Sequence, residues 1–276
     1  EAQRDVSKTI ADELGSAVPM RRLVQGDVGS GKTIVAVLSA VIVMEHGAQA
    51  AFMVPTELLA EQHFANVRRL VEPAGYRVAL LSSKLKKGER EELRGEIARG
   101  EVDLVVGTHA LVQEGVRFKE LGLAIIDEQH RFGVLQRAEL REKGVKCDLL
   151  VMTATPIPRS LMMAIHGDLD HSEISELPPG RQPIRTLRCD AGELKGVFRT
   201  MEQEIAEGHQ VYFVCPLVEE SEKMDVKAAV ARFDSLAKGA FKHRRVALVH
   251  GRMPSSEREE IMGAFGEGSI DVLVAT

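Results

Sequence analysis

Short apolar runs alternate with longer amphipathic stretches through the first part of the chain. The runs are short and rich in branched side chains, so they predict buried parallel strands; they are RRLVQG (21–26), AAFMVP (50–55), RVALLSS (77–83), VDLVVGT (102–108), LAIIDE (123–128) and DLLVMTAT (148–155). Between them, apolar residues recur at helical spacing in KTIVAVLSAVIVMEHG, ELLAEQHFANVRRLVE and KKGEREELRGEIARGE. The alternation of strand and helix predicts an α/β fold with a doubly wound parallel sheet.

A segment rich in proline and glycine, ELPPGRQP (176–183), divides the pattern and predicts a linker. We therefore expect one domain over 1–177, a linker over 178–183 and a second domain over 184–276. In the second domain the alternation resumes, with strands predicted in IRTLRCD, QVYFVCP, RVALVHG and DVLVAT and helices between them. The last run ends at Thr276, where a parallel strand would still need its crossover and neighbour. The second domain is thus expected to be truncated at its C-terminus. No repeat is visible in the sequence itself.

Charge and aromatic content narrow the possible partners. The net charge of -5 argues against binding nucleic acid by bulk charge, but it is compatible with binding in a local groove. Tryptophan is absent and aromatic residues make up 4%, so a platform on which bases stack is not expected. No apolar run has the roughly 20 residues of a membrane span, and the charged N-terminus does not have the pattern of a signal peptide. A cytoplasmic protein without a membrane partner is expected.

The cysteines and histidines predict neither a disulfide framework nor a zinc site. Cys147, Cys189 and Cys215 are odd in number, widely spaced and form no CxxC pair, which favours a reducing compartment. The nine histidines form no HxxxH pattern and no cluster with cysteine. The candidate chemistry must therefore come from other residues.

A glycine-rich stretch, QGDVGSGKT (25–33), follows the first predicted strand and matches the phosphate-loop pattern GxxxxGK[ST]. Its backbone N–H groups are expected to surround nucleotide phosphates; the loop comprises Gly26, Asp27, Val28, Gly29, Ser30, Gly31, Lys32 and Thr33. Lys32 would lie near the β- and γ-phosphates, and Thr33 offers a hydroxyl to Mg²⁺. The alternative is a simple turn, but the position between strand and helix favours nucleotide binding. Kinases, GTPases and motors would share this motif.

A second polar cluster directly follows the buried run LAII, at Asp127 and Glu128. Strand ends of this kind face the ligand crevice of a doubly wound sheet. Asp127 is predicted to hold Mg²⁺, and Glu128 to orient or deprotonate an attacking water, which favours hydrolysis over simple binding. Gln129 and His130 could report the γ-phosphate to a neighbouring element through hydrogen bonds. The alternatives are a solvent-exposed strand end for Glu128 and an ordinary turn for the two residues that follow.

Together these motifs form an ordered set that resembles the superfamily 2 nucleic-acid helicases and translocases. QGDVGSGKT, PTELLAEQHF, VGTHALVQEGV, IDEQHRFGV, TATPIPRSL, LPPGRQPIRT and VHGRM are more narrowly similar to the RecG family, the bacterial ATP-dependent helicases that remodel branched DNA. Nearly the whole chain takes part in the resemblance. Transcription-repair coupling factors have a similar motor, but they typically carry a DEEH-type box where this chain has DEQH.

The resemblance implies a fold, a location and roles for further residues. It implies two RecA-like P-loop domains with ATP and Mg²⁺ bound between them, in a monomer that acts on duplex or branched DNA in the bacterial cytoplasm, at the nucleoid. Gln3 would read adenine. Loops on the first domain would hold the DNA backbone through Pro55, Thr56, Glu57, Gly107, Thr108 and His109, and the second domain through His250 and Gly251. The coupling of ATP to DNA movement would fall to Thr153, Ala154 and Thr155.

Some of these residues have a plain structural alternative. Thr56 could simply cap the helix ELLAEQHF, since its hydroxyl precedes the apolar pattern. His109 and His63, taken alone, are more typical of core or turn histidines than of a site. Small polar residues at such strand ends can nevertheless donate hydrogen bonds to phosphates without reading bases.

The sequence departs from the family pattern in two respects, and three other functions share some of its motifs. The family's N-terminal wedge domain and the arginine-bearing motif of its second domain are not found, so this chain is expected to bind nucleotide but to hydrolyse it poorly. The first rival is a coupling-factor-type duplex translocase. The second is a P-loop small-molecule kinase, which would not predict TATPIPR or a second α/β domain. The third is a silent nucleotide-dependent binding module, against which the intact Asp127 and Glu128 argue.

Overall fold

The computed structural model describes residues 1–111, 115–127, 147–155, 169–176, 184–215 and 222–276. Contacts divide the chain into two units, Glu1–Gln182 and Pro183–Thr276, here called unit 1 and unit 2. The division falls inside the segment that the sequence analysis assigns to the linker. Each unit is built around its own parallel sheet.

Unit 1 contains a seven-stranded sheet in which all described pairings are parallel. The strands are β1 (Arg21–Gly26), β2 (Gln49–Met53), β3 (Val78–Leu81), β4 (Leu104–Gly107), β5 (Leu121–Asp127), β6 (Asp148–Thr153) and β7 (Asp170–Ile174). Their order across the sheet is β3-β4-β2-β5-β6-β1-β7. The helices are α1 (Ala2–Leu14), α2 (Lys32–Glu45), α3 (Glu57–Val71) and α4 (Lys87–Arg99).

The apolar runs are continuous because the sheet is covered on both faces. In β2, Phe52 packs into the core formed with α1, α2 and α3, whereas its neighbour Met53 packs into the core on the α4 side. Successive residues of a strand point to opposite faces, so a strand with two buried faces must be apolar at every position. This arrangement confirms the six strands and three helices predicted for this part of the chain.

Among the described elements of unit 1, the sequence pattern does not predict the helix α1 or the edge strand β7. The sequence of β7 is DHSEI, and only Ile174 is buried. Because an edge strand exposes most of its residues, it lacks the apolar run that reveals a central strand. In α1, apolar residues are few, and the buried ones are Val6 and Ile10.

Unit 2 contains a three-stranded parallel sheet of order β8-β10-β9. Its elements are α5 (Leu194–Ala206), β8 (Val211–Val214), α6 (Glu222–Ser235), β9 (Val246–Val249), α7 (Ser255–Gly266) and β10 (Val272–Ala275). The predicted strand IRTLRCD is wrong: residues 184–190 belong to no sheet within the described part of the chain. Ile184 and Leu187 are 77% and 64% exposed. A strand requires a paired neighbour for its backbone groups, and local apolar content did not supply one.

The edge of the unit 1 sheet is fastened by a buried glutamine and an aspartate. The amide nitrogen of Gln49 donates to the carbonyl oxygens of Ile97, at 3.0 Å, and Val102, at 2.7 Å. These bonds tie β2 to the end of α4 and to the start of β4. Nearby, Asp103 accepts the backbone N–H of Arg77 at 2.7 Å, which joins the starts of β3 and β4.

The same arrangement occurs in unit 2, although no sequence repeat was detected. Gln210 donates to the carbonyl oxygens of Phe265, at 2.6 Å, and Ile270, at 2.8 Å, and so joins β8 to the end of α7 and to the start of β10. Asp271 accepts the backbone N–H of Arg245 at 2.8 Å. The strands β3, β4 and β2 of unit 1 therefore correspond to β9, β10 and β8 of unit 2.

Candidate nucleotide-binding site

The phosphate loop lies between β1 and α2, and its glycines are required by its shape. Gly29 and Gly31 have φ values of 80° and 92°, in the left-handed region that side chains disfavour. A Cβ on Gly26 would come within 2.7 Å of the Ser30 hydroxyl oxygen, and one on Gly31 would collide with the amide of Gln3. The loop thus forms a cradle that only glycine permits at these positions.

Lys32 places a buried positive charge inside this cradle. Its ammonium donates to the carbonyl oxygens of Gly26, at 2.6 Å, and Asp27, at 2.9 Å, and the residue is only 9% exposed. The Ser30 hydroxyl is buried and has no hydrogen-bond partner within the described residues. Helix α2 begins at Lys32, so the positive end of its dipole and its first N–H groups face the loop. This set of donors fits nucleotide phosphates.

Gln3 reaches the same loop from α1. Its side-chain nitrogen donates to the Ser30 carbonyl at 2.6 Å. The glutamine that the resemblance assigns to adenine therefore contacts the phosphate loop directly. A single side chain thus joins α1 to the conformation of the loop.

Asp127 ends β5 on the same sheet edge. In the strand register, Met152 of β6 lies between Asp127 on one side and Val24 of β1 on the other. Strands in a sheet are about 4.8 Å apart, so Asp127 is roughly 10 Å across the sheet from β1. The phosphate loop starts two residues after Val24. The hydroxyl of Thr33 and the carboxylate of Asp127 are oxygen donors of the kind that Mg²⁺ prefers. Glu128, Gln129 and His130 lie outside the described residues.

The segment Thr153–Thr155 lies directly beside the phosphate loop. Thr153 is buried and stands opposite Gln25 in the register of β6 and β1. Its hydroxyl oxygen lies 2.9 Å from that of Thr155 and accepts the Thr155 N–H at 3.2 Å. A cavity of about 280 Å³ is lined by Gln25, Gly26, Asp27, Ala154, Glu173, Ile174 and Ser175. A shift of the phosphate loop would therefore displace Thr153–Thr155 as well.

The loop after β2 is shaped by its own hydrogen bonds. The Thr56 hydroxyl accepts the backbone N–H of Leu59 at 3.3 Å and caps α3, as the structural alternative for Thr56 predicts. Glu57 accepts the N–H of Ser83 at 3.1 Å, which joins this loop to the loop after β3. The Glu57 carboxylate thus holds the two loops together. Pro55 and Thr56 are both partly exposed.

The loop after β4 contacts the ends of β2 and β3. The Gly107 carbonyl accepts the N–H of Val54 at 3.0 Å. A Cβ on Gly107 would come within 2.8 Å of the Leu81 carbonyl oxygen, so this glycine is required by packing. Thr108 is buried, whereas His109 is exposed. The strand ends thus bring the two predicted DNA-backbone loops to one edge of the sheet.

In unit 2, His250 and Gly251 directly follow β9. The Nδ1 atom of His250 is buried and has no hydrogen-bond partner in the part of the chain that is described. Gly251 is exposed. Their position at a strand end matches that of Ser82 and Ser83 after β3 in unit 1, a pair that the sequence analysis did not single out. The repeated fold could have revealed this equivalence.

His63 is the main residue that sequence reasoning missed. Its Nε2 atom lies 3.2 Å from Oδ2 of Asp127, and its ring lies 4.9 Å from the ring of Phe52, centroid to centroid. From the sequence alone, His63 is more typical of a core or turn histidine. Only the pairing of β2 with β5 brings the start of α3 close to Asp127, and no local pattern encodes that approach.

Two cysteines, Cys147 and Cys215, have surroundings that suit unreactive thiols. Burial raises the pKa of the Cys147 thiol to about 12 and also raises the pKa of Cys215. A thiol of high pKa carries little thiolate and is a poor nucleophile. All three cysteines are unpaired.

Comparison with known families identifies this arrangement. The DEAD/DEAH box helicase model matches residues 2–164, which include the phosphate loop, Asp127 and both loops of the adjoining strands. The chain belongs to the DEAD/DEAH box helicase family. The helicase conserved C-terminal domain matches residues 196–276, in unit 2. The predicted fold class, two RecA-like α/β domains, is confirmed.

The resemblance to RecG is confirmed by its relatives. The chain is 49% identical to the ATP-dependent DNA helicase RecG of Escherichia coli O157:H7 over 280 residues, 100% of this chain and 40% of that protein. It is 49% identical to that of Streptococcus pneumoniae, over 100% of this chain and 41% of the relative. For Thermotoga maritima RecG, the identity is 46%, over 100% of this chain and 35% of the relative. This member of the helicase family thus spans about two fifths or less of these relatives.

Solved structures give the same result. The structure of RecG bound to a three-way DNA junction matches with a TM-score of 0.78 and 40% identity, over 100% of this chain and 35% of the other. Yeast Dbp5 bound to RNA and ADP BeF3 matches with a TM-score of 0.67 at 17% identity, over 98% of this chain and 69% of the other, and shows the fold alone. Among the described residues of this helicase-family chain, no helix is both long and apolar enough to cross a membrane.

Proposed function

We propose that this chain is the ATP-driven motor of a RecG-type DNA helicase. The motor would couple ATP hydrolysis to movement on duplex DNA and so remodel branched DNA, such as replication forks and Holliday junctions, in recombination and repair. One observation carries the proposal: one sheet edge holds both the phosphate loop and the loops that would contact DNA, in a chain similar to RecG from end to end. We propose a monomer in the bacterial cytoplasm, at the nucleoid.

The nucleotide would bind at the phosphate loop of unit 1. Lys32 and the first N–H groups of α2 would hold the phosphates, and Gln3 would support both the adenine and the loop. Thr33 and Asp127 would hold Mg²⁺, which neutralises phosphate charge when it is bound. A buried, preformed set of donors of this kind needs little reorganisation when charge develops in the transition state.

Hydrolysis would depend on the residues that follow Asp127. Glu128 would orient and deprotonate the attacking water, and Gln129 and His130 would respond to the γ-phosphate. Thr153, Ala154 and Thr155 would pass the change onward, because they adjoin the phosphate loop. Glu128 would thus take part in the chemical step, whereas Gln129 and His130 would report the state of the nucleotide.

DNA would be held through its phosphates. The contacts would come from backbone and polar groups, which suit phosphates rather than bases. In unit 1 these groups belong to Pro55, Thr56, Thr108 and His109, and Gly107 shapes the second loop. In unit 2 they belong to His250 and Gly251. Glu57 would orient the first loop through Ser83 rather than touch DNA. The low aromatic content fits recognition of this kind.

The test is ATP hydrolysis by this chain without DNA, with linear duplex and with a three-way junction of equal length. We expect the junction to stimulate turnover above the linear duplex, and the duplex above no DNA. The Glu128→Gln variant should bind nucleotide as the unchanged chain does but lose stimulated turnover. Turnover that is indifferent to every DNA would contradict the proposal, and phosphate transfer to a nucleoside would favour a kinase.

A further inference from the structure

The helix that starts at a proposed DNA-facing loop also contacts the proposed metal carboxylate. Helix α3 begins directly after Thr56, and its residue His63 places Nε2 3.2 Å from Oδ2 of Asp127. The side chains of His63 and Asp127 are 14% and 15% exposed, so the contact is largely shielded from water.

The imidazole ring of His63 is fixed by its surroundings. Phe52 of β2 is fully buried, and its ring lies 4.9 Å from that of His63 with an angle of 34° between the planes. The Nδ1 atom of His63 is buried and has no hydrogen-bond partner among the described residues. The contact of Nε2 with Asp127 is therefore the polar interaction that orients this ring.

The helix between the two sites is firmly anchored. Thr56 caps its first turn, and Ala60 and Val67 are fully buried in the core. At about 1.5 Å of rise per residue, His63 lies about 10 Å along the axis from the cap. A shift of the loop at Thr56 would therefore carry the imidazole with it, because a packed helix moves as a unit.

We infer that His63 is a positioning residue that holds Asp127 for Mg²⁺ and links it to the DNA-facing start of α3. The inference rests on the proposed function, in which Asp127 binds the metal. The imidazole contacts Oδ2 and would hold the carboxylate in place, while Thr33 and Asp127 would supply the oxygen donors for Mg²⁺. Residues that orient a metal ligand without touching the metal tune the affinity for that metal. Their loss typically lowers metal affinity or activity by about 10- to 100-fold.

The experiment measures the Mg²⁺ concentration that half-saturates binding of a fluorescent ATP analogue, for the full chain and for His63→Ala. We expect the variant to need about 10- to 100-fold more Mg²⁺, while its nucleotide affinity without Mg²⁺ stays unchanged. His63→Gln should recover part of the loss, because its amide can still donate towards Asp127. The matched control is His243→Gln, which alters an exposed histidine 3.2 Å from Glu202 in unit 2 and should change nothing.

A second arm adds duplex DNA to the same titrations. In the unchanged chain, DNA should shift the Mg²⁺ requirement, and in His63→Ala this shift should disappear while DNA binding itself persists. An unaltered Mg²⁺ requirement in the variant overturns the inference. The inference is also overturned if nucleotide binding weakens equally with and without Mg²⁺ and Tm falls in both His63 variants. That result would mark a purely structural role for His63. Failure of the unchanged chain to bind nucleotide would instead refute the proposed function.

Discussion

One edge of the sheet in unit 1 and the three described strands of unit 2 have the same arrangement. Their strand orders, β3-β4-β2 and β9-β10-β8, correspond, and in both a glutamine and an aspartate fasten the strand starts. In unit 1 the sheet continues through β5, β6 and β1, and these strands carry Asp127, Thr153 and the phosphate loop. The framework is thus repeated, whereas the proposed nucleotide chemistry belongs to loops at the carboxyl ends of the additional strands.

The two copies differ in how deeply they are buried. Gln49 is 4% exposed, and its side-chain oxygen also accepts the N–H groups of Lys119, at 2.8 Å, and Glu120, at 3.3 Å. Gln210 is exposed. The two equivalent glutamines should therefore contribute differently to stability. An unsatisfied polar group costs most free energy where water cannot replace its partner.

The largest expected effect is on stability, from Gln49→Ala compared with Gln210→Ala. The first change leaves two carbonyl and two N–H groups without their side-chain partner, so we expect a loss of about 2–4 kcal/mol in the free energy of unfolding. The second leaves its carbonyl groups near water, and we expect about 1 kcal/mol or less. Urea unfolding with a probe in each unit measures both. Equal losses would mean that burial does not distinguish the two copies.

A smaller effect concerns acid stability in unit 2. The hydrogen bond from the Arg245 side chain is the main cause that lowers the pKa of Asp271 below its ordinary value. Since the folded pKa lies below the unfolded one, this stabilisation is complete above the unfolded pKa and is lost as the pH falls through the folded pKa. When Tm is measured as a function of pH, Asp271→Asn should therefore show a smaller fall in Tm at acidic pH than the unchanged chain.

The control for this prediction is Asp234→Asn, which alters an exposed carboxylate 2.8 Å from Lys238. Surface pairs of this kind contribute little, so the Tm profile of the control should keep the acid slope of the unchanged chain. An acid slope that survives in Asp271→Asn would show that other carboxylates cause it.

The central strands and the phosphate loop could be predicted because their signals are local. A strand buried on both faces is an apolar run, and the loop needs glycine at fixed spacing. The edge strand β7 carries too few apolar residues to be recognised, and IRTLRCD has apolar residues but no neighbouring strand among those described. His63 and Gln49 gain their importance from partners far along the chain, which a single sequence does not reveal. The roles proposed for Glu128, Gln129 and His130 remain predictions.

The most direct measurement is amide hydrogen exchange with and without Mg²⁺ and an ATP analogue, on the unchanged chain and on Lys32→Ala. The nucleotide should slow exchange at residues 29–35 of unit 1 in the unchanged chain, and Lys32→Ala should abolish this protection. Lys238→Ala, which removes an exposed lysine in unit 2, should leave it intact. Protection that appears at the strand ends of unit 2 alone, or that survives the loss of Lys32, would contradict the assignment of nucleotide binding to the phosphate loop.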